Sequence, residues 1–107
     1  MRSDPRLRFG GLPRREILGA RVPVAITRRS RLLGLSLLDR EEAGPGLLIP
    51  RCRSVHTFGM RFDLDLLFLD AEGRVVDLRR AVSPWRFVRC AEVESESVLE
   101  VPSPWVA

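Results

Sequence analysis

Leu64-Asp65-Leu66-Leu67-Phe68-Leu69-Asp70-Ala71-Glu72-Gly73-Arg74-Val75-Val76-Asp77-Leu78 is the stretch whose reading decides the fold. Its first six residues are apolar on both faces except at Asp65, the pattern of a strand covered on two sides. Ala71 to Gly73 make a short loop, after which Val76 and Leu78 share one face and Val75 and Asp77 the other. Two strands joined by so short a loop predict a β-hairpin. Asp65 is the anomaly, because a carboxylate in such a run must be exposed at the sheet's end or paired where it is buried. An arginine is the expected partner, with Arg61 and Arg79 the candidates.

Working outward, Ser83 and Pro84 break the hairpin's second strand, Arg86 to Ala91 gives another strand and Ser97 to Val101 a last one. On the N-terminal side, Cys52 to Met60 reads as extended and Leu47 to Ile49 as a short strand. Val22, Val24 and Ile26 alternate in a further one over Arg21 to Ile26. Thr27 is an acceptable N-cap for a helix through Leu38, with Leu33 and Leu37 four apart and Leu32 and Leu35 three apart. Asp39 and Glu42 have capping-box spacing, which predicts one more turn before Gly44-Pro45-Gly46. Residues 1–20, rich in Arg, Gly and Pro, read as an N-terminal arm that wraps the domain; residues 21–107 read as a single β-rich domain. Six or seven strands with one short α-helix make a mainly β protein, a small sandwich or barrel.

At 107 residues the chain has room for one core, and 45% hydrophobic with 30% charged residues excludes global disorder. No apolar run approaches the roughly 18 residues that span a bilayer. The basic N-terminus has no following apolar segment, so a membrane is not expected and the cytosol is. The net charge of +4 would permit contact with nucleic acid. The arginines, however, are spread along the chain without a run of five. With no Tyr there is little sign of a base-stacking platform, and nucleic acid is not the expected partner.

Few residues offer chemistry: Cys52, Cys90, the lone His56, and the acids Asp63, Asp65, Asp70 and Glu100. Two cysteines so far apart fit no zinc pattern, and no metal or other cofactor is expected. In an extended segment Cys52 and His56 share a face but lie about 13 Å apart, too far to hold one ion. In a reducing compartment two free cysteines read first as small buried hydrophobes. His56, flanked by Val55, Thr57 and Phe58, reads either as a hydrogen-bonded residue of a pocket wall or as a ligand contact. No nucleophile elbow appears, and Gly44-Pro45-Gly46 has no Lys to serve as a phosphate loop.

The segment Cys52-Arg53-Ser54-Val55-His56-Thr57-Phe58-Gly59-Met60, with Leu64-Asp65, Phe68-Leu69-Asp70 and Gly73, resembles domain-of-unknown-function family 192, a widespread prokaryotic family. Thr27 with Arg31 and Gly34-Leu35 resembles its helix segment, Gly46-Leu47-Leu48 its following strand and Val98-Leu99-Glu100 its late strand. His56 stands where many members carry Trp, which marks a His-Thr-Phe-Gly-Met branch, and Asp63 replaces a proline usual before the Leu-Asp pair. The resemblance implies a jelly-roll-like fold with a short helix on one side, and no established activity. Relatives usually continue past the Leu-Glu pair into a glycine turn and a final strand. Here Val101-Pro102-Ser103-Pro104-Trp105-Val106-Ala107 follows, so either an edge strand is missing, and an exposed sheet edge would favour a homodimer formed through it, or another segment covers that edge.

The first functional reading is a non-catalytic binding module that contacts a ligand or protein partner around Ser54 to Met60, through His56, Phe58, Met60, Asp65 and Trp85. The second is a hydrolase-like or thiol enzyme using His56 with Asp65 or Cys90. The third is an arginine-mediated nucleic-acid contact.

Overall fold

The computed structural model describes residues 8–106. In chain order these form β1 (Arg14–Ile17), β2 (Ala20–Pro23), the helix α1 (Arg28–Leu33), a 3-10 turn (Arg40–Glu42), β3 (Leu47–Pro50), β4 (Ser54–His56), β5 (Leu64–Leu69), β6 (Val75–Val82), β7 (Phe87–Arg89) and β8 (Ser97–Pro102). The expected hairpin is β5–β6, and every residue of β5 is buried, as its two-sided apolar pattern required. Asp70 organises its turn, Oδ1 accepting the N–H groups of Glu72 and Arg74 at 2.9 Å. At Gly73, φ of +82° supplies the left-handed residue that such a turn needs.

The four-stranded sheet has the order β3-β8-β5-β6, all neighbours antiparallel, and β4 pairs with β7 in a separate ribbon. The late strand is thus interior, with Glu100 opposite Leu47 on one side and Leu66 on the other. One sheet face carries Leu47, Ile49, Leu64, Leu66, Phe68 and Val98, packed under Leu35, Leu38, Val55, Met60 and Cys90. The other carries Leu48, Leu67, Leu69, Leu99 and Val101, covered by Ile17 and Val22 of the β1–β2 hairpin. Each face is closed by a different part of the chain, a mainly β architecture with two apolar layers.

Three local features differ from the sequence expectation. Of the stretch expected to be an arm, residues 1–7 lie outside the described residues. Arg14–Ile17 is a strand joined to β2 through Leu18 and Gly19, both at positive φ, the pairing favoured in two-residue hairpins. The helix keeps its expected N-cap, Thr27 and Ser30 forming a reciprocal capping box, but stops at Gly34, whose φ of +54° and ψ of −128° no helix accommodates. Leu35 and Leu38 are core residues of the loop that follows. The extended reading of Cys52 to Met60 holds only for Ser54–His56, because the chain turns at Gly59, φ +80°. The Asp39–Glu42 capping box forms as expected.

Candidate functional site

Asp65 is fully buried, as a strand interior requires, and its carboxylate is completely occupied. Oδ1 accepts the Ala81 N–H at 2.8 Å, and Oδ2 accepts the Trp105 N–H at 2.7 Å and the Arg80 guanidinium at 3.2 Å. The expected arginine partner is therefore Arg80; Arg61 binds Asp39 and Arg79 binds Asp77. The reason is an irregularity in the β5–β6 register between Leu64 and Leu66, where Ala81 adopts φ +50° and Arg80 comes to lie beside Asp65. Burial pushes the Asp65 pKa up, but the N–H groups of Trp105 and Ala81, the Ser103 hydroxyl and the Arg80 charge outweigh it and leave the pKa lowered. The carboxylate ties a bulge and the C-terminal segment to the sheet.

Of the remaining sequence candidates, His56, Phe58 and Trp85 come together as a row of stacked rings, with centroids 5.1 and 5.8 Å apart. Met60 does not join them; it is 6% exposed and packs into the core beneath. Thr57 builds the row. Its buried hydroxyl donates to the Ser83 carbonyl at 2.8 Å and accepts the Arg86 N–H at 2.8 Å, while its carbonyl accepts the Trp85 N–H at 3.2 Å. This clamp holds Trp85 at φ +67°, an unusual conformation for a bulky side chain, with 73% of it exposed. The Phe58 N–H donates to His56 Nδ1 at 3.3 Å, which leaves Nε2 for solvent or a ligand.

Cys90 lies wholly in the core, and Cys52 is half-buried with its thiol donating to the Ser54 carbonyl at 3.0 Å. Both are free. None of the hydrogen bonds of Asp65 involves His56.

The concavity beside His56 has a different floor. A cleft of about 210 Å³ is lined by Arg31, Leu32, Leu33, Gly34, Ile49, Cys52, Ser54, Val55, His56, Phe87 and Glu100. Arg31 forms its lip, anchored by hydrogen bonds to the carbonyls of Pro50 and Arg51. Glu100 reaches it from the interior strand β8 and is 1% exposed. The Leu35 N–H binds the carboxyl, yet Oε1 is buried without a hydrogen-bond partner among the described residues. Burial pushes the pKa up to about 8, against the opposing pull of the Leu35 N–H and the charge of Arg8. Burial thus favours the neutral carboxyl over the carboxylate. The Arg8 guanidinium, bound to the Gly34 and Ser36 carbonyls, closes the back of this region from the N-terminal side.

Glu100 was one acid among several in the sequence. The signal that singled out Asp65, a carboxylate within an apolar strand, applied equally to Val98-Leu99-Glu100-Val101. The structure separates the two: Asp65 is saturated by its own chain and Glu100 is not. Three of the segments that carry the family resemblance, Arg31 to Leu35, Ser54 to His56 and Val98 to Glu100, meet around this cleft.

A UPF0127 protein of Thermococcus sibiricus (strain DSM 12597 / MM 739) is 38% identical over 71 residues, which is 63% of this chain and 46% of that protein. The chain thus matches about half the length of that relative. A solved protein of unknown function from Novosphingobium aromaticivorans DSM 12444 superposes with a TM-score of 0.61 at 20% identity, over 79% of this chain and 67% of that one. A candidate transcription regulator from Sinorhizobium meliloti 1021 does so with a TM-score of 0.66 at 20% identity, over 83% and 77%. These two share the fold. The model of the family DUF192, "Uncharacterized ACR", matches residues 13–107, and the chain belongs to that family.

Proposed function

We propose that the protein is a non-catalytic binding module whose cleft takes a small ligand with a hydrogen-bond acceptor on an apolar body. The observation that carries this reading is the unpartnered Oε1 of Glu100, buried at the floor of the cleft. A buried polar atom without a partner costs roughly 1–3 kcal/mol, which a ligand that supplies the partner recovers. With the Leu35 N–H on the carboxyl and a pKa of about 8, the proton belongs on the free oxygen, so Oε1 donates. The complementary group is a carbonyl or a carboxylate, and the Arg31 charge at the lip favours the latter. Leu32, Ile49, Val55 and Phe87 supply the apolar walls, and His56 offers a second polar contact at the rim. At about 210 Å³ the cleft is below the roughly 300–1,000 Å³ usual for drug-sized ligands, so its occupant is small.

Benzoate is a suitable probe, followed by the amide resonances of Leu35, Val55 and Phe87. Saturable shifts at pH values well below 8 that vanish above it, persist in Glu100→Gln and disappear in folded Glu100→Leu are the expected result. Equal binding to Glu100→Leu would overturn the reading, and conversion of the probe rather than its unchanged return would make the site an enzyme's.

A further inference from the structure

A second concavity lies outside this cleft, on the far side of Phe87. We propose that the groove between β6 and β7 docks an extended acidic segment of another protein by strand addition.

β6 ends the four-stranded sheet and β7 has a single partner, β4, so among the described residues each keeps one unpaired edge of backbone N–H and C=O groups. The groove between them, about 490 Å³, is lined by Leu78 to Ser83 and by Arg86 to Arg89. Unpaired edges of this kind are templates for a further strand. The groove's charge selects which strand. Four arginines line it: Arg79, Arg80, Arg86 and Arg89. Arg79 is held by Asp77 and Arg80 by Asp65, whereas Arg86 and Arg89 have no ion pair among the described residues. Among the described residues, no acidic side chain lines the groove.

A second copy of this chain is a poor occupant. Antiparallel pairing of β6 with itself, centred between Arg79 and Arg80, would bring Arg79 of one copy against Arg80 of the other, and like charges placed opposite each other destabilise a strand pair. This argues against the homodimer expected through a sheet edge, at least along β6. Arg79 and Arg80 are consecutive in β6 and so point to opposite faces, which makes a strand with acidic residues on both faces and an apolar residue among them the one that meets both demands. Its carboxylates reach the guanidiniums and its apolar side chain covers Phe87, which is 67% exposed. A nucleic acid would use the arginines and leave the unpaired backbone idle, which separates it from a peptide by experiment.

The probe is a synthetic hexapeptide of repeating Glu-Glu-Val, titrated at low ionic strength into the full chain. Binding is expected, with slowed hydrogen exchange at the amides of β6 or β7. The exposed double substitution Arg86→Glu with Arg89→Glu, checked for an unchanged circular dichroism spectrum, is expected to weaken it by about tenfold or more. The same peptide with its alternate backbone amides N-methylated is expected not to bind. Three results overturn the proposal: no binding; equal binding of the N-methylated peptide; or tighter binding of a short oligouridylate, which would assign the groove to nucleic acid. Sedimentation of the unliganded chain as a dimer with β6 amides already protected would assign it instead to a second copy.

Discussion

Gly34 faces Glu100 so closely that a β-carbon on Gly34 would fall 2.5 Å from Oε1. The turn that ends α1 and the carboxyl at the floor of the cleft are therefore one construction. Gly34→Ala meets two obstacles, the clash and a φ of +54° with ψ of −128° that L-residues avoid. A loss of about 1–3 kcal/mol is expected. Thermal denaturation of the variant checks it, and an unchanged midpoint would show that the carboxyl moves aside freely.

Glu100 gives the fold an unusual dependence on pH. Its pKa is about 8 when folded against an ordinary 4.5. Between these values the folded chain keeps a proton that the unfolded chain has released. Stability is therefore full below 4.5, falls as pH rises through that window and levels off above 8, with a steepest slope of about 1.4 kcal/mol per pH unit. Urea denaturation across the window should show the decline, and Glu100→Gln should remove it.

Asp65 acts in the opposite sense. Its lowered pKa stabilises the fold above the ordinary value of 3.8, and that contribution is lost as pH falls through the folded value. Asp65→Ala would leave the Ala81 and Trp105 N–H groups and the Arg80 guanidinium without their shared acceptor. Breaking such a buried set costs about 3–5 kcal/mol. Equilibrium denaturation at neutral pH measures it, and a loss below about 1 kcal/mol would mean that water replaces the carboxylate.

Thr57→Val keeps the volume and removes the hydroxyl that joins Ser83 and Arg86. A cost of about 1–3 kcal/mol is expected. The more specific effect is faster hydrogen exchange at Trp85 and Arg86, because the clamp that imposes the left-handed turn is gone. Exchange rates that match the parent protein would place the cause of the turn elsewhere.

The cysteines should separate cleanly by reactivity. Cys52 is half-buried and lines the cleft, while Cys90 is wholly buried. A thiol reagent added to the folded protein should label Cys52 alone, with Cys90 reacting only on unfolding. Mass spectrometry counts the labels.

The sequence was most legible where one physical demand acted alone. β5 and β8 announced themselves through apolar runs, and Thr27 and Asp39 through capping-box spacing. β1 was not legible because three of its four residues, Arg14, Arg15 and Glu16, face solvent and show no alternation. The leucine spacing predicts a longer helix than forms, because Leu35 and Leu38 continue it while packing from a loop, a tertiary override of periodicity. Of the five residues that the sequence groups together, the fold brings His56, Phe58 and Trp85 into one row and sends Met60 and Asp65 elsewhere. The partner of Asp65 is not legible for a geometric reason, since one irregular register step is invisible to a period-two argument.

The interior position of β8 also governs the order in which the molecule can assemble. As the chain leaves the ribosome, β3 and the β5–β6 hairpin emerge early, but the antiparallel ladders that join them both run through Ser97–Pro102. Until that segment arrives, the two halves of the sheet are apolar pieces without a seam. Closing them means joining sequence-distant segments, the slow and aggregation-exposed step of β-rich folding. A nascent chain stalled before residue 97 would hold almost every residue of the core and yet present it to chaperones and proteases as unfinished.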